Sequence, residues 1–386
     1  MRFSGSSLWC RAALLAAMML AVPMAQAELP SDIGLKPENV SLPPMSKHWV
    51  WVNDMVFPHM SDGQIHLFDG DTGRFLGMVS TGYSGHGVLS PDGKTLWSAE
   101  TYFSRHTRGT RTDVVTVYDT SSLKVTAEIS MPPNRGSSIP VVGVSGVTDD
   151  GRFLLTYNFN PAQSVSVVDT RANAFVGEVE TPGCALVHPS GPRSFFSVCA
   201  DGGVMTVVLD DTGHVVSQSH TDPIFDMTKD PVTEKPIRIG DVWYFVTFDG
   251  DIRPLHANAK GVTALPAWPL FSSEEKKAGW RPGGVLQLAG HAGRKRLYAI
   301  VHQGPRDSHK DGGRTIHVYD LESHARVQTI RTQHPVGVIA VSSDDHPLLF
   351  AASPEATDLY VYDARSGKLR RTVTEAGTSI MYLNTR

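Results

Sequence analysis

Short runs that alternate apolar and polar residues recur along the chain, and each of them ends in an aspartate. The first is Gln64–Asp69, and similar runs end at Asp119 and Asp169, so these three aspartates stand 50 residues apart. Two further copies end at Asp320 and Asp363, 43 residues apart. Alternation with a period of two predicts β-strands. A strand-rich repeat of roughly 40–50 residues is typical of the blades of a β-propeller.

A turn signal precedes several of these runs. Residues 90–94 are Ser-Pro-Asp-Gly-Lys, 149–152 are Asp-Asp-Gly-Arg and 342–345 are Ser-Ser-Asp-Asp. Asp-Gly between two alternating segments predicts a hairpin turn, so each unit should hold four short antiparallel strands. Weaker copies at 204–210 and 242–255 bring the total to about seven units. The sequence therefore predicts an all-β fold, a seven-bladed β-propeller of four-stranded antiparallel blades.

The two ends of the chain together supply the strands of one blade. Residues 49–52 are Trp-Val-Trp-Val and lead directly to the next strand, without an inner strand before them, whereas 378–383 form a lone strand without a blade. Pairing the two would satisfy backbone groups and remove an exposed sheet edge. We therefore expect a ring closed by the C-terminal strand, with 48–386 as a single propeller domain after an N-terminal extension over 28–47.

The start of the chain has the features of a secretory signal peptide over residues 1–27. Arg2 and Arg11 supply positive charge, residues 12–22 are apolar, and Ala-Gln-Ala at 25–27 fits a cleavage site. The apolar run is too short for a comfortable membrane anchor, and no later stretch suits a membrane span. The net charge of −4 and the lack of a long basic stretch disfavour a nucleic-acid partner.

Two cysteines, Cys184 and Cys199, follow the signal peptide. An even pair in an exported protein predicts a disulfide. The alternative is a catalytic or metal-binding pair, but CxxC spacing and a nearby His-rich cluster are both missing.

Sequence patterns for catalysis are scarce. The chain lacks HExxH, CxxCH, a G-x-S-x-G elbow and a phosphate-binding glycine loop. The recurrent aspartates could be paired carboxylates, but their regular position at strand ends favours Asx turns. His66 and His317 occupy equivalent strand positions, which we expect on a polar face of the blade rather than at a metal site. The residues alone therefore predict an exported propeller that binds a partner, with no catalytic residue, metal site or cofactor site of its own.

One connecting loop, between Asn53 and Asp62, is unusually apolar. Its centre is Met-Val-Phe-Pro-His-Met at residues 55–60. An exposed apolar cluster of this kind often marks an interface. The alternative is a loop that folds back over the end of the propeller.

Four segments resemble the heavy (large) subunit of quinoprotein amine dehydrogenases, the group of methylamine dehydrogenase and aromatic amine dehydrogenase. Residues 102–115 are Tyr-Phe-Ser-Arg-His-Thr-Arg-Gly-Thr-Arg-Thr-Asp-Val-Val, 51–54 are Trp-Val-Asn-Asp, and 278–284 are Ala-Gly-Trp-Arg-Pro-Gly-Gly. The fourth joins Phe-Asp-Gly at 68–70 to Leu-Gly-Met at 76–78. The resemblance covers nearly all of the mature chain, and the cysteine spacing suits the intrachain disulfide of that family.

The resemblance implies a periplasmic enzyme of two heavy and two light subunits. Its cofactor, tryptophan tryptophylquinone, is made from two tryptophans of the light chain. The implied reaction is oxidative deamination of a primary amine, methylamine or an arylalkylamine, to an aldehyde and ammonia, with electrons passed to a small blue copper protein of the amicyanin or azurin type. The heavy chain would house the light chain and shape the substrate channel. Phe57, and after it His59, would line the inner end of that channel.

Two other functions compete with this interpretation. A non-enzymatic exported β-propeller that acts as a binding or scaffold protein would explain the repeat, but not the Arg-rich and Trp-Arg-Pro-Gly-Gly segments. A stand-alone hydrolase with a divalent metal in the central channel would need inward carboxylates or histidines from several blades, and the repeat does not supply them.

Overall fold

Seven antiparallel sheets account for almost all of the regular structure in a computed structural model that describes residues 41–136 and 141–386. The predicted signal peptide and most of the predicted N-terminal extension lie outside the described residues. Within them, thirty strands form the sheets in chain order around a ring. The predicted seven-bladed all-β propeller is confirmed.

The first four blades each hold four strands, and the fourth strand of blade 1 is the last strand of the chain, given below. Blade 1 contains β1 (Trp49–Asp54), β2 (Gln64–Asp69) and β3 (Phe75–Ser80). Blade 2 contains β4 (Tyr83–Leu89), β5 (Thr95–Arg105), β6 (Arg108–Asp119) and β7 (Val125–Met131). Blade 3 contains β8 (Ser145–Val147), β9 (Phe153–Asn158), β10 (Ser164–Asp169) and β11 (Ala174–Glu180). Blade 4 contains β12 (Cys184–Pro189), β13 (Ser194–Cys199), β14 (Val204–Leu209) and β15 (Val215–His220).

The last three blades complete the ring, and two of them carry one extra short strand. Blade 5 contains β16 (Ile237–Ile239), β17 (Val242–Val246), β18 (Asp251–Asn258), β19 (Gly261–Ala264) and β20 (Trp268–Pro269). Blade 6 contains β21 (Trp280–Pro282), β22 (Leu288–His291), β23 (Arg296–Gln303), β24 (Gly313–Asp320) and β25 (Arg326–Val336). Blade 7 contains β26 (Val338–Val341), β27 (Leu348–Ala352), β28 (Leu359–Asp363) and β29 (Leu369–Val373), and the last strand of the chain is β30 (Ile380–Asn384).

Helical structure in the described residues is limited to two short elements. The α-helix α1 (Ser273–Lys277) begins with a capping box, in which Ser272 accepts from the Glu275 amide and the Glu275 side chain bonds back to Ser272. A 3-10 helix spans Phe57–Asp62. In the described part of the chain, no helix is both long and apolar enough to cross a membrane.

The C-terminal strand closes the ring, as the sequence predicts. β30 pairs antiparallel with β1 as the inner strand of blade 1, with Trp51 opposite Asn384 and Val52 opposite Leu383. The side chains of Ile380 and Leu383 are buried in the core. β1 is thereby paired with β2 on one side and β30 on the other, and has no free edge.

Both faces of a blade are packed against neighbouring blades. In β1, alternate side chains belong to two different core clusters. Val50 and Val52 belong to the core cluster that contains Phe350 of blade 7. Trp49 and Trp51 belong to the cluster that contains Leu96 and Tyr118 of blade 2. Successive residues of a strand point to opposite faces, so one short strand fills two interblade cores.

The recurrent aspartates form the expected turns. The Oδ1 atom of Asp69 accepts hydrogen bonds from the amides of Asp71 at 2.8 Å and Thr72 at 3.2 Å. Equivalent bonds to the second and third following amides occur at Asp119, Asp169, Asp320 and Asp363. These carboxylates stabilise tight turns, and the prediction of Asx turns is confirmed.

Counted from the inner strand of each blade, the second and third strands are joined by a connection that lies at the same end of the ring in every blade. In blade 1 these two strands are β1 and β2. We call this end of the ring the loop face. It holds the 3-10 helix Phe57–Asp62 in blade 1, the tip of the β5–β6 hairpin in blade 2, and residues 159–163 in blade 3. A hydrogen bond of 3.1 Å between Ser61 Oγ and His106 Nε2 joins the first two.

Candidate functional site

The apolar loop of blade 1 is partly anchored and partly exposed. Met55 is buried, whereas Phe57 is 44% exposed and His59 also lies at the surface. The loop therefore neither folds back completely over the propeller nor extends freely. The buried Met55 anchors the start of the loop, and the side chain of Phe57 is exposed to solvent on the loop face.

Phe57 shares the loop face with two further exposed aromatic side chains, those of Tyr102 and Phe159 in the next two blades. Tyr102 is 41% exposed at the top of β5, and Phe159 is 60% exposed directly after β9. We call Phe57, Tyr102 and Phe159 the aromatic rim. Exposed aromatic side chains are enriched at protein–protein interfaces.

The ring of Tyr102 is held in place by a buried carboxylate. Its hydroxyl donates to Glu100 Oε2 at 2.5 Å, and the same oxygen accepts from the Gly82 amide at 2.6 Å. Burial raises the pKa of Glu100, although these hydrogen bonds act in the opposite direction. Burial and the nearby Glu100 carboxylate also raise the pKa of Tyr102. Tyr102 is thus fixed at its hydroxyl end while its ring faces solvent.

A cavity of about 530 Å³ lies beside the aromatic rim. The 3-10 helix contributes Ser61 and Asp62 to its wall, and the β5–β6 hairpin contributes Tyr102, Phe103 and His106. Ser61 and Asp62 belong to the same loop as Phe57, so the cavity adjoins that loop, although Phe57 is not among its lining residues.

The Arg-rich segment forms an ion-pair network behind this rim. Arg111 binds Asp113 with two parallel hydrogen bonds, Nε to Oδ1 at 2.8 Å and Nη2 to Oδ2 at 2.7 Å. Asp113 also accepts from the Arg135 amide at 3.2 Å, and Arg111 donates to the Arg135 carbonyl. The guanidinium of Arg135 in turn donates to the carbonyls of Tyr83 and Ser84 at 2.5 and 2.9 Å. Burial lowers the pKa of Arg135 to about 10, so it remains a cation that fixes the start of the inner strand of blade 2.

The Trp-Arg-Pro-Gly-Gly segment has a similar structural role in blade 6. Arg281 Nη1 pairs with Asp249 Oδ1 at 2.7 Å. The carbonyl of Gly284 accepts from the ammonium of the buried Lys235 at 2.9 Å. Burial lowers the pKa of Lys235. Both signature segments therefore bond to buried or half-buried cations, and the bonds of the Trp-Arg-Pro-Gly-Gly segment join blade 6 to residues of blade 5 and its preceding connection.

Cys184 and Cys199 form a disulfide with an S–S distance of 2.02 Å. They lie directly opposite each other on β12 and β13. His220 is close enough to share a cation with the two sulfur atoms, but the disulfide bond engages both sulfurs. The predicted disulfide is confirmed over the catalytic or metal-binding alternative.

The prediction that His317 lies on a polar face of its blade is wrong, because this residue lies in a packed interior. Its side chain is buried, with its ring 5.7 Å from that of Trp280 and 6.2 Å from that of Phe271. Burial lowers the pKa of His317 to about 4, with a further contribution from Arg326. Alternation alone misleads here, because both faces of a propeller strand pack against neighbouring blades. His66, by contrast, is only half-buried.

The loop face offers an aromatic rim, an adjoining cavity and rigid supports behind them. These features define a class of protein, a seven-bladed β-propeller with exposed aromatic side chains at one end of the ring.

The chain belongs to the methylamine dehydrogenase heavy chain family, whose description, "Methylamine dehydrogenase heavy chain (MADH)", matches residues 46–385. It is 31% identical over 375 residues to the methylamine dehydrogenase heavy chain of Methylophilus methylotrophus, covering 94% of this chain and 92% of that one. It is 32% identical over 327 residues to that of Paracoccus versutus, covering 83% and 76%. The chain is thus a heavy subunit of an amine dehydrogenase.

Solved structures support the fold alone. A functionally unknown protein from Desulfotomaculum acetoxidans superposes with a TM-score of 0.60 at 15% identity, covering 88% of this chain and 99% of that one. A protein described as a putative 6-phosphogluconolactonase from Bacteroides fragilis also has a TM-score of 0.60, at 10% identity, covering 91% and 99%.

Proposed function

We propose that this chain is the heavy subunit of a periplasmic tryptophan tryptophylquinone amine dehydrogenase. The complex deaminates a primary amine oxidatively to an aldehyde and ammonia and passes the electrons to a small blue copper protein of the amicyanin or azurin type. The observation that carries the proposal is the family match over residues 46–385, which spans the whole propeller. The names of the relatives favour methylamine as the amine, and arylalkylamines are the alternative substrates.

The cofactor belongs to the partner light chain in this proposal. A quinone made from two tryptophans needs two indoles that can be oxidised and joined together. Trp51, Trp97 and Trp243 are buried core residues of blades 1, 2 and 5, and the family match makes this chain the heavy rather than the light subunit. When bound in the partner, the quinone accepts the electrons of the amine. The residues of this chain bind the partner and exclude water around it, which strengthens electrostatic interactions in the site.

The loop face is the surface that we assign to the light chain, in a complex of two heavy and two light subunits. The aromatic rim supplies large, rigid contact areas of the kind enriched at interfaces. Phe57, and after it His59, line the inner end of the substrate channel in this arrangement. The outward position of Phe57 and the adjoining cavity support this assignment.

Purification from the native source tests the proposal. We expect the chain to copurify with a smaller subunit that carries a visible quinone absorbance, and the complex to oxidise primary amines. The propeller expressed alone should be colourless and inactive. A solitary, colourless protein that does not act on amines would contradict the proposal and support the scaffold alternative.

A further inference from the structure

A buried carboxylate joins the base of the Phe57 loop to the segment that precedes the closing strand. Asp54, the last residue of β1, is 3% exposed. Its Oδ1 accepts from the amides of Val56 at 3.0 Å and Ser379 at 2.7 Å, and its Oδ2 accepts from the Thr378 amide at 2.6 Å. One side chain therefore binds both segments at once.

Ser379 accepts two hydrogen bonds from backbone amides of the Phe57 loop. Its carbonyl accepts from the Met55 amide at 3.1 Å, and its hydroxyl oxygen accepts from the Phe57 amide at 3.2 Å. Residues 57 and 379 are 322 positions apart in the chain. Ser379 is itself buried, so these bonds are shielded from water and hold the backbone of Phe57 directly.

The backbone between Asp54 and Phe57 has an unusual conformation that needs such support. Val56 has φ 50° and ψ 60°, in the left-handed region. A β-branched residue is strained there, and strain of this kind persists only where surrounding contacts enforce it. Asp54 accepts from the strained residue's own amide, and Ser379 bonds the residues on both sides of it.

We propose that Asp54 and Ser379 are positioning residues, and that they make the placement of Phe57 depend on closure of the ring. Pairing of β30 with β1 brings Thr378 and Ser379 to Asp54, and the resulting bonds turn the chain at Val56 so that Phe57 faces outward. The part that concerns the substrate channel rests on the proposed function. Asp54 is also the last residue of the Trp-Val-Asn-Asp segment, so this segment supplies the carboxylate that bonds the Phe57 loop to Thr378 and Ser379.

Hydrogen exchange on the full chain tests the clamp without any activity measurement. Ser379→Ala removes only the acceptor for the Phe57 amide, and Asp54→Asn replaces one of the two acceptor oxygens of Asp54 by an NH2 group. We expect exchange of the Phe57 amide to become at least about tenfold faster in Ser379→Ala, and that of the Val56 amide in Asp54→Asn, because their protection depends on these bonds. Ser342→Ala is the matched control, since Ser342 is also buried and accepts one backbone amide, that of Leu348, in a turn of blade 7. Unchanged protection of the Phe57 amide in folded Ser379→Ala would overturn the proposal, even if Asp54→Asn fails to fold.

Kinetics of the assembled complex test the link to the channel. We expect Ser379→Ala to alter the ratio of kcat/KM between methylamine and a larger amine, and to have no further effect when combined with Phe57→Ala. If Phe57→Ala changes the ratio and Ser379→Ala does not, the positioning role is overturned while the proposed function stands. If neither variant changes the ratio, the assignment of Phe57 to the channel fails, and hydrogen exchange alone decides whether Asp54 and Ser379 position Phe57.

Discussion

The imidazole of His188 lies among aromatic rings in the core between blades 4 and 5. Its centroid is 4.8 Å from that of Phe196, 4.9 Å from that of Trp243 and 5.5 Å from that of Phe245. The side chain is 1% exposed, and burial lowers its pKa from 6.5 to about 4. Such a buried histidine lowers the free energy of unfolding as the pH falls, because between about pH 6.5 and 4 the unfolded chain binds a proton at His188 and the folded chain does not.

Replacement of His188 should reduce this acid sensitivity. Because its pKa is depressed in the folded state, the stability linked to its neutral ring is present above about pH 6.5 and is lost as the pH falls toward 4. We expect His188→Phe to flatten the pH dependence of the unfolding free energy in this window by up to about 1.4 kcal/mol per pH unit. Denaturant titrations between pH 7 and 4 measure the slope, and His214→Gln, at an exposed histidine of the same blade, is the control. An equally steep slope in His188→Phe would contradict the prediction.

Phe57 is the residue at which the proposed channel can be tested most directly. Its ring is exposed on the chain alone, so its loss should cost little folding stability. We expect Phe57→Ala to change the ratio of kcat/KM between methylamine and an arylalkylamine by roughly 2- to 10-fold, the range of an aromatic contact worth about 0.5–1.5 kcal/mol. His59→Ala should have a smaller effect.

Phe159→Ala provides the matched control for Phe57→Ala. Phe159 is also an exposed phenylalanine of the aromatic rim, but in blade 3. We expect it to leave the amine preference of the assembled complex unchanged. Equal amine preferences in the parent complex and the Phe57→Ala complex would argue against the channel assignment.

At the scale of elements, a histidine bridge joins blade 1 to blade 7. His48 lies directly before β1, and its Nδ1 is 2.7 Å from Asp71 Oδ2 while its Nε2 is 3.1 Å from Asp344 Oδ2. Partial burial acts to lower the pKa of His48, but the hydrogen bonds to the two carboxylates outweigh it, and the pKa is raised. The charged form of His48 therefore helps to join the two blades between which the ring closes.

The bridge should weaken in alkaline solution. A raised pKa in the folded state means that the contribution to stability is fully present below about pH 6.5 and is lost as the pH rises through the pKa of folded His48. We expect His48→Gln to lower the Tm most at about pH 6 and progressively less at higher pH. Thermal unfolding from pH 5.5 to 9 measures this. A Tm difference that grows with pH would contradict the assigned protonation.

For the whole molecule, the blade repeat and the closure of the ring could be predicted from the sequence, whereas the side-chain contacts between blades could not. The strand repeat and the turns at Asp69 and its equivalents follow from local patterns. The pairing of β30 with β1 follows from the need to satisfy two incomplete chain ends. The burial of His317 could not be predicted, since alternation does not reveal that both strand faces are covered.

The candidate site illustrates the same limit. The apolar character of residues 55–60 is visible in the sequence, and the resemblance identifies Phe57 within it. Its neighbours Tyr102 and Phe159 in the aromatic rim come from other blades, and Ser379 lies 322 positions away. Only the closed ring brings these residues to one end of the molecule, and the strained turn at Val56 leaves no sequence signal.

Removal of the closing strand should prevent formation of a soluble propeller. Deleting Gly377–Arg386 takes away β30 and exposes β1, whose six residues are all buried in the closed ring. The lost burial of Ile380 and Leu383 alone costs about 1.5–3 kcal/mol for each side chain, and the free edge of β1 can pair with another chain. We expect insoluble protein, whereas deletion of the exposed Arg386 alone should leave the protein soluble. Solubility after expression and the Tm measure the outcome. A truncated chain that is soluble and melts at the parent temperature would show that blade 1 is stable with three strands, and that ring closure does not depend on β30.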